Sequence, residues 1–306
     1  MIKVFMLLAF LIFILTFVIS IILITIYLKI STKIKILDNP TNYNMHDRMV
    51  PTGSGITFIF TYIILLVGLY FFENFNILNL NYPNRFYIFN VVLVLFSTMS
   101  FYDDLKNLHP NFRFFAQLLL VSLSIPLINI EILNELFPLK IIIIFMVFYW
   151  VYIINIINFI DGLDGFLIYY SFFYFFNSFV YFYLFDVGNF LYFLSLILLS
   201  ISAGFFLFNK SPAKLFMGDS GSIFLGYIIG LYSLYFMSIN RFDITITLIC
   251  YPFIDCTLTI IKKMINGRYP WERLFDYYFL KPVKVYKKTH NYVLKYFCVY
   301  SIGLSI

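Results

Sequence analysis

Charge is scarce in this chain. Only 12% of its 306 residues are charged, while 62% are hydrophobic and the mean hydropathy is +0.91. Ordinary globular proteins carry about 25% charged residues, so there is too little polar surface here to enclose a water-soluble core, and lipid must be the solvent. Cysteine is nearly absent as well. Cys250, Cys256 and Cys298 form no even set for a disulfide framework, and two share one apolar segment, so all three read as small core residues. His46, His109 and His290 lie far apart with no Cys near enough to complete a ligand set, which excludes a zinc pattern. No internal repeat stands out and no linker is long enough to separate domains, so residues 1–306 read as one membrane domain. The 41 Phe and 26 Tyr, with abundant Ile, Asn and Lys, follow the codon bias of an AT-rich genome more than a function.

What the chain has in quantity is long apolar runs. About 20 such residues cross a bilayer, and ten runs come near that length: 2–29, 53–72, 86–102, 113–130, 139–156, 165–185, 187–208, 221–239, 243–261 and 291–306. The pattern predicts an all-α, polytopic membrane protein of about ten helices. The first run outlasts a signal-peptide core and no small-residue cleavage site follows, so it is expected to remain as a helix. The last is short and ends in "SIGLSI", as an abbreviated C-terminus would be. Seventeen of the 21 Lys and Arg residues fall in or beside the connections that follow helices 1, 3, 5, 7 and 9. The positive-inside rule therefore puts those connections in the cytoplasm and both termini outside.

The few carboxylates gather on that same side. Asp38, Asp47, Asp103, Asp104, Asp161, Asp164, Asp219, Glu272 and Asp276 all lie there, with Asp255 in helix 9 toward that end. An anionic cluster inside a cationic surround is what a metal–phosphate site needs. In "FYDDLKNLHPNFRFFAQ" (101–117), Asp103 and Asp104 close a helix at its negative dipole end, where each anion costs about 0.3–1 kcal/mol. Two solvated loop acids would bear that cost without return; a divalent cation, or a proton to be removed, accounts for it. In "NIINFIDGLDG" (155–165), Asn155, Asn158, Asp161 and Asp164 recur every third residue. An N-cap at Asp164 explains one of the four. "SPAKLFMGDSGSIFLGYIIG" (211–230) offers Asp219, Ser220 and Ser222 as caps. Alternatively, Gly218 and Gly221 let backbone amides approach a phosphate at a helix N-terminus, with Asp219 holding a bridging metal. "DNPTNYNMHDRMVPTGSGI" (38–56) supplies His46 and Arg48 before a turn of Pro51, Gly53 and Gly55.

Taken in order, these four segments resemble the polyprenyl-phosphate N-acetylhexosamine-1-phosphate transferases of glycosyltransferase family 4, over about residues 30–265. That family includes the undecaprenyl-phosphate GlcNAc-1-phosphate transferases of O-antigen, enterobacterial common antigen and teichoic acid synthesis, and the phospho-N-acetylmuramoyl-pentapeptide transferase of peptidoglycan synthesis. The resemblance implies a reaction at the cytosolic face of the inner membrane. A polyprenyl phosphate attacks the β-phosphate of a UDP-N-acetylhexosamine, giving polyprenyl-diphospho-sugar and UMP with Mg²⁺, for which Mn²⁺ could substitute. It also implies roles. Asp103 and Asp104 match the paired aspartates, one of them a proposed base, and Asp219 in "FMGD" matches a Mg²⁺ ligand joined by Asn158. Asn155, Asp161 and Asp164 would line the nucleotide side with Phe216 stacking on uracil. Arg113 would face the diphosphate, assisted by Lys106. No nucleic-acid partner is expected, and a homodimer is left open.

The loop after helix 9 departs from the pattern. Many relatives carry a histidine-rich motif there, whereas "NGRYPWERLFDYYFLKPVKVYKKTHNY" (266–292) has only His290, with Arg268, Arg273 and Lys281 supplying charge. Sugar recognition is expected in this loop, together with His46 and Arg48, so the departure leaves the sugar open and weighs against the muramoyl-pentapeptide enzyme. A ten-helix transporter is the rival of a different class; it would explain Asp255 equally well but not acids gathered at cytoplasmic helix ends. A non-catalytic scaffold leaves Asp103 and Asp104 unexplained.

Overall fold

The computed structural model describes residues 2–40, 48–74, 86–129, 138–185, 190–269 and 277–304. Each of the ten apolar runs is a helix: α1 Ile2–Ile34, α2 Ile56–Asn74, α3 Phe86–Lys106, α4 Pro110–Ser124, α5 Leu139–Phe159, α6 Phe166–Phe185, α7 Phe190–Asn209, α8 Gly218–Ser238, α9 Phe242–Ile265 and α10 His290–Gly303. The protein is an all-α, polytopic integral membrane protein. Among the described residues, seven helices are long and apolar enough to cross a bilayer: α1, α3, α4 (with the 3₁₀ turn Ile125–Leu127), α5, α7, α8 and α9. The expected ten thus become seven by length and composition. The apolar stretch described in α2 is short, α10 has 14 residues, and tyrosines, serines and Asn177 lower the hydropathy of α6. One feature is not helical. β1 (Leu37–Asp38) and β2 (Val50–Pro51) pair antiparallel, with Leu37 opposite Pro51.

α1 illustrates how lipid inverts the usual pattern. Its outer stripe is Phe10, Ile14, Val18, Ile22, Ile26 and Ile30, all exposed. The stripe facing protein includes Thr16, Ser20 and Ser31, small hydroxyl residues that let helices approach. Thr16 Oγ1 donates to the carbonyl of Ile12 at 2.6 Å, so no hydroxyl is stranded there.

α8 is the hub of the bundle, buried along nearly its whole length and packed against α2, α3, α5 and α9. Gly226 and Gly230 let α5 come close: a Cβ on Gly230 would fall 2.1 Å from Trp150 Cδ1, and one on Gly226 2.9 Å from Ile154 Cα. Trp150 stacks on Tyr227 at 5.1 Å, and its Nε1 donates to the Tyr227 carbonyl at 2.8 Å. At one end of this core the odd-numbered connections meet. Ser54 Oγ donates to Phe216 O at 2.7 Å, Phe216 N to Pro51 O at 2.8 Å and Arg48 Nη2 to Ala213 O at 2.7 Å.

Candidate active site

The end of α3 abuts the start of α8. Gly218 opens α8 with φ +71°, a conformation that suits glycine, and a Cβ there would lie 2.6 Å from both carboxylate oxygens of Asp104. With that space clear, Asp104 Oδ1 accepts the amide of Asp219 at 2.7 Å and Oδ2 the amide of Ser220 at 3.0 Å. A side chain from α3 therefore caps α8, and the negative end of one helix dipole is turned to the positive end of another. This corrects the reading of Gly218 and Gly221 as an open phosphate cradle. The first amides of α8 already serve an internal anion, and Gly221 is where the turn before α2 packs, since a Cβ on Gly55 would sit 1.9 Å from Gly221 N.

Asp103, only 4% exposed, points the other way. Its Oδ1 accepts the amide of Leu108 at 2.6 Å and its Oδ2 accepts Arg113 Nη1 at 2.8 Å. The same Nη1 lies 2.6 Å from Asp219 Oδ2, so one guanidinium joins carboxylates carried by α3 and α8. Arg113 reaches them because α4 starts at once after a short turn, with His109 capping it through the Asn111 amide and Pro110 at its first position. His109 is thereby a helix cap.

The segment between α5 and α6 forms the adjoining wall. Asn158, in the last turn of α5, accepts Ser222 Oγ at 2.9 Å and so touches α8 beside Asp219. Asn155, one turn earlier, donates to Gln117 Oε1 at 2.7 Å, a buried amide on α4. Asp161 follows in the turn, half-buried. Burial first, then the charges of Asp219, Asp104 and Asp164, push its carboxyl up to about 8. Asp164 is held below the ordinary carboxylate range: burial opposes its charge, and the nearby His290, the Ala213 amide and Ser211 outweigh that. Its Oδ2 accepts Ala213 N at 3.0 Å, while His290 Nδ1 lies 3.4 Å from that oxygen and 3.3 Å from the Asp164 amide that donates to it. In place of the N-cap that Asp164 could have formed there is a cross-link to the α7–α8 connection and to α10. The amide of Gly165 instead donates to Asn209 Oδ1 at 3.1 Å.

The remaining predicted residues are placed as follows. Phe216 is partly buried, its backbone paired with Pro51 and Ser54. Arg48 is exposed and holds the Ala213 carbonyl. Lys106 and Arg268 are exposed at the ends of α3 and α9. His46 and Arg273 lie outside the described residues. Three residues absent from the predicted set take part in the geometry: Gln117, Ser222 and Asn209. Two of them, Gln117 and Asn209, carry the signal that could have found them, a lone amide inside an apolar helix.

Residues 86–237, about half of the chain, match the family model described as Glycosyl transferase family 4. That stretch belongs to glycosyl transferase family 4. It holds Asp103, Asp104, Arg113, the 155–164 segment and Asp219. The chain is 43% identical over 77 residues to a protein of Bacillus subtilis (strain 168) named "Probable undecaprenyl-phosphate N-acetylglucosaminyl 1-phosphate transferase", a match covering 24% of this chain and 22% of that one. It is 36% identical over 72 residues to a phospho-N-acetylmuramoyl-pentapeptide-transferase of Staphylococcus carnosus, covering 24% and 21%. A protein of that second name from Oceanobacillus iheyensis is 35% identical over 81 residues, covering 26% and 24%. The chain thus spans about a fifth to a quarter of the length of the curated relatives it matches.

The residues of this cluster suit a hard cation held loosely. Among the described residues, no three His, Cys, Asp or Glu side chains close on one point as a complete cage. Asp103 is 4% exposed and Asp104 caps α8 with both oxygens; Asp219, 22% exposed and paired with Arg113 through Oδ2, is the carboxylate best placed to share a cation with solvent. One or two carboxylates, completed by water and phosphate oxygens, is the donor set Mg²⁺ takes.

Proposed function

We propose that this chain transfers N-acetylhexosamine-1-phosphate from a UDP-sugar to a polyprenyl phosphate, releasing UMP, at the cytosolic face of the inner membrane. The reading rests on one observation: Asp103, Asp104, Arg113 and Asp219 are joined in one hydrogen-bonded cluster where α3 and α8 meet end to end. Such a reaction needs no covalent enzyme intermediate. It needs the lipid phosphate and the donor's β-phosphate brought together with their charge neutralised. The P–O bond to UMP breaks as the bond from the lipid phosphate oxygen forms.

In this scheme Asp219 and Asn158 would hold a divalent cation, which would supply charge neutralisation on the phosphate oxygens. Asp104 fixes the start of α8 and hence the aim of Asp219, and Asp103 orients Arg113 toward the diphosphate. Asp161 and Asp164 face the nucleotide. N-acetylglucosamine is favoured as the sugar, because the relative named for it is 43% identical against 36% and 35% for the muramoyl-pentapeptide enzymes. The orientation is supported by the basic odd-numbered connections.

The test is UMP release by purified protein from a panel of UDP-sugars with undecaprenyl phosphate and Mg²⁺. Turnover with UDP-GlcNAc is expected; release of UMP from none of them would reject the reading. Orientation is read separately with an impermeant thiol reagent on intact cells, the native cysteines having been removed. A cysteine at Asn240 should label and one at Gly267 should not.

A further inference from the structure

Asp255 lies outside the cluster described above, yet it is an acid only 4% exposed in a helix long and apolar enough to cross a membrane. Its Oδ1 accepts the amide of Tyr278 at 2.8 Å and its Oδ2 the amide of Phe279 at 3.0 Å, with Thr259 Oγ1 at 3.5 Å from Oδ1. These amides open the 3₁₀ turn Tyr278–Leu280, whose preceding residue, Tyr277, provides no side-chain cap. A carboxylate on a membrane helix thus caps a turn in the loop that follows that helix. α9 runs ten residues beyond Asp255, about 15 Å at helical rise, so Tyr278 and Phe279 lie beside the helix and not beyond its end.

That turn carries side chains onto the wall of the site. Phe279 stacks on Phe166, the first residue of α6, with centroids 4.9 Å apart. Phe279 and Leu280 also abut Gly162, where a Cβ would stand 3.5 and 3.4 Å from them. Tyr277 lies 6.1 Å from Phe159 in the last turn of α5. Beyond the turn the chain returns to the same wall, where His290 meets Asp164. The loop end is therefore fastened to the 159–166 segment by the turn that Asp255 caps and by His290.

We infer that Asp255 is a positioning residue for the nucleotide: by capping the Tyr278–Leu280 turn it holds Phe279 against Gly162 and Phe166, and so fixes Asp161 and Asp164 where the UDP-sugar binds. The inference rests on the proposed transferase reading. It also explains a membrane-embedded acid without a transport path, since both carboxylate oxygens are taken by backbone amides.

The experiment uses the full chain in lipid nanodiscs and compares Asp255→Asn and Phe279→Ala with wild type. Asn can accept one amide at most and turns its own donor group toward the other. Asp255→Asn is expected to raise the KM for UDP-sugar about tenfold, with kcat and the KM for polyprenyl phosphate within about twofold. Trypsin cleavage among Lys284, Lys287 and Lys288 should also quicken about tenfold as the cap is lost. Phe279→Ala keeps the amide bonds but removes the ring on Phe166, and should raise the donor KM likewise; it carries the test if Asp255→Asn is not recovered folded. Faster cleavage with an unchanged donor KM would make the cap merely structural and overturn the inference, as would a fall in kcat alone. A wild-type protein that releases no UMP would instead bring down the transferase reading and this inference with it.

Discussion

Asp104, near the end of α3, and Asp255, inside α9, accept hydrogen bonds from two successive backbone amides at the start of a helix or turn. Their surroundings differ. Around Asp104 stand Asp103, Asp219 and Asp161, with Arg113 bridging two of them. Around Asp255 the hydrogen-bond donors are amides and a threonine, with Lys263 and Lys281 nearby over the rings of Tyr277 and Tyr278 at 4.8 and 3.5 Å. Capping alone therefore does not mark a site. What separates the two regions is a surplus of carboxylates beyond what capping needs, and that surplus is where a cation and phosphates would be handled.

Changing charge without changing shape separates the two regions most strongly. Asp219→Asn should lower UMP release about 10³-fold while leaving the protein folded and inserted, since its carboxylate is 22% exposed and its change leaves the Asp104 cap on the start of α8 in place. Excess EDTA on the wild type should do the same. Undiminished turnover in EDTA would remove the cation from the scheme. Asp104→Asn should cost both properties. Activity should fall about 10²-fold, and stability by about 1–3 kcal/mol as a buried amide at the start of α8 loses its acceptor. Denaturation in detergent, followed by Trp fluorescence, reads the second effect. If Asp104→Asn loses activity at unchanged stability, Asp104 is not the cap described here.

A smaller effect belongs to Asp161. Its pKa is raised to about 8, so its neutral form is favoured in the folded protein. The folded-state stability it contributes is complete below the ordinary carboxylate pKa and is lost as pH rises through about 8. Asp164, with its lowered pKa, acts oppositely, and its contribution is lost only as pH falls through that lowered value. Between about pH 4 and 8 Asp161 therefore contributes a loss of stability with rising pH. Asp161→Asn should raise the melting temperature at pH 8 by a few degrees, on the order of a 1 kcal/mol gain, and by less at pH 5. A variant equally stabilised at both pH values would show that Asp161 does not titrate in this window.

The helices were legible in the sequence because lipid demands long apolar runs, and the runs at 86–102, 139–156 and 221–239 fall within a few residues of α3, α5 and α8. Ends were harder. Pro126 turns the predicted 113–130 helix into a 3₁₀ turn after Ser124, and α9 continues to Ile265 through Lys262 and Lys263, which hydropathy reads as its end. The site's acids were legible as departures from an apolar background. Their partners were not, because a backbone amide carries no sequence signature: nothing in "FMGD" says that Asp104 caps it, and nothing near Asp164 says that Ala213 is its donor. The pairing of β1 with β2 was hidden for the same reason, being two residues long and made by backbone alone.

The finest cut of the comparison lies within the loop after α9, between a basic residue fastened to the wall and one that is not. His290 is only 12% exposed and meets both the amide and a carboxylate oxygen of Asp164, whereas Arg268 is exposed beyond the end of α9. A guanidinium can bind phosphate or sugar oxygens bidentately, so charge alone would favour Arg268 as the group that selects the donor. Position favours His290, because a residue that holds Asp164 alters the nucleotide wall even without touching substrate. Exposed cationic residues at a membrane surface interact with anionic headgroups at about 1 kcal/mol each, which is role enough for Arg268. His290→Gln should therefore raise the KM for UDP-sugar about three- to fivefold, and Arg268→Ala less than about twofold, with the order of preference among UDP-N-acetylhexosamines unchanged by the second. Kinetics with UDP-GlcNAc and UDP-GalNAc in the same nanodiscs measure both. A change of donor preference in Arg268→Ala that exceeds the effect of His290→Gln would move sugar selection out to the exposed start of the loop and away from the wall built around Asp164.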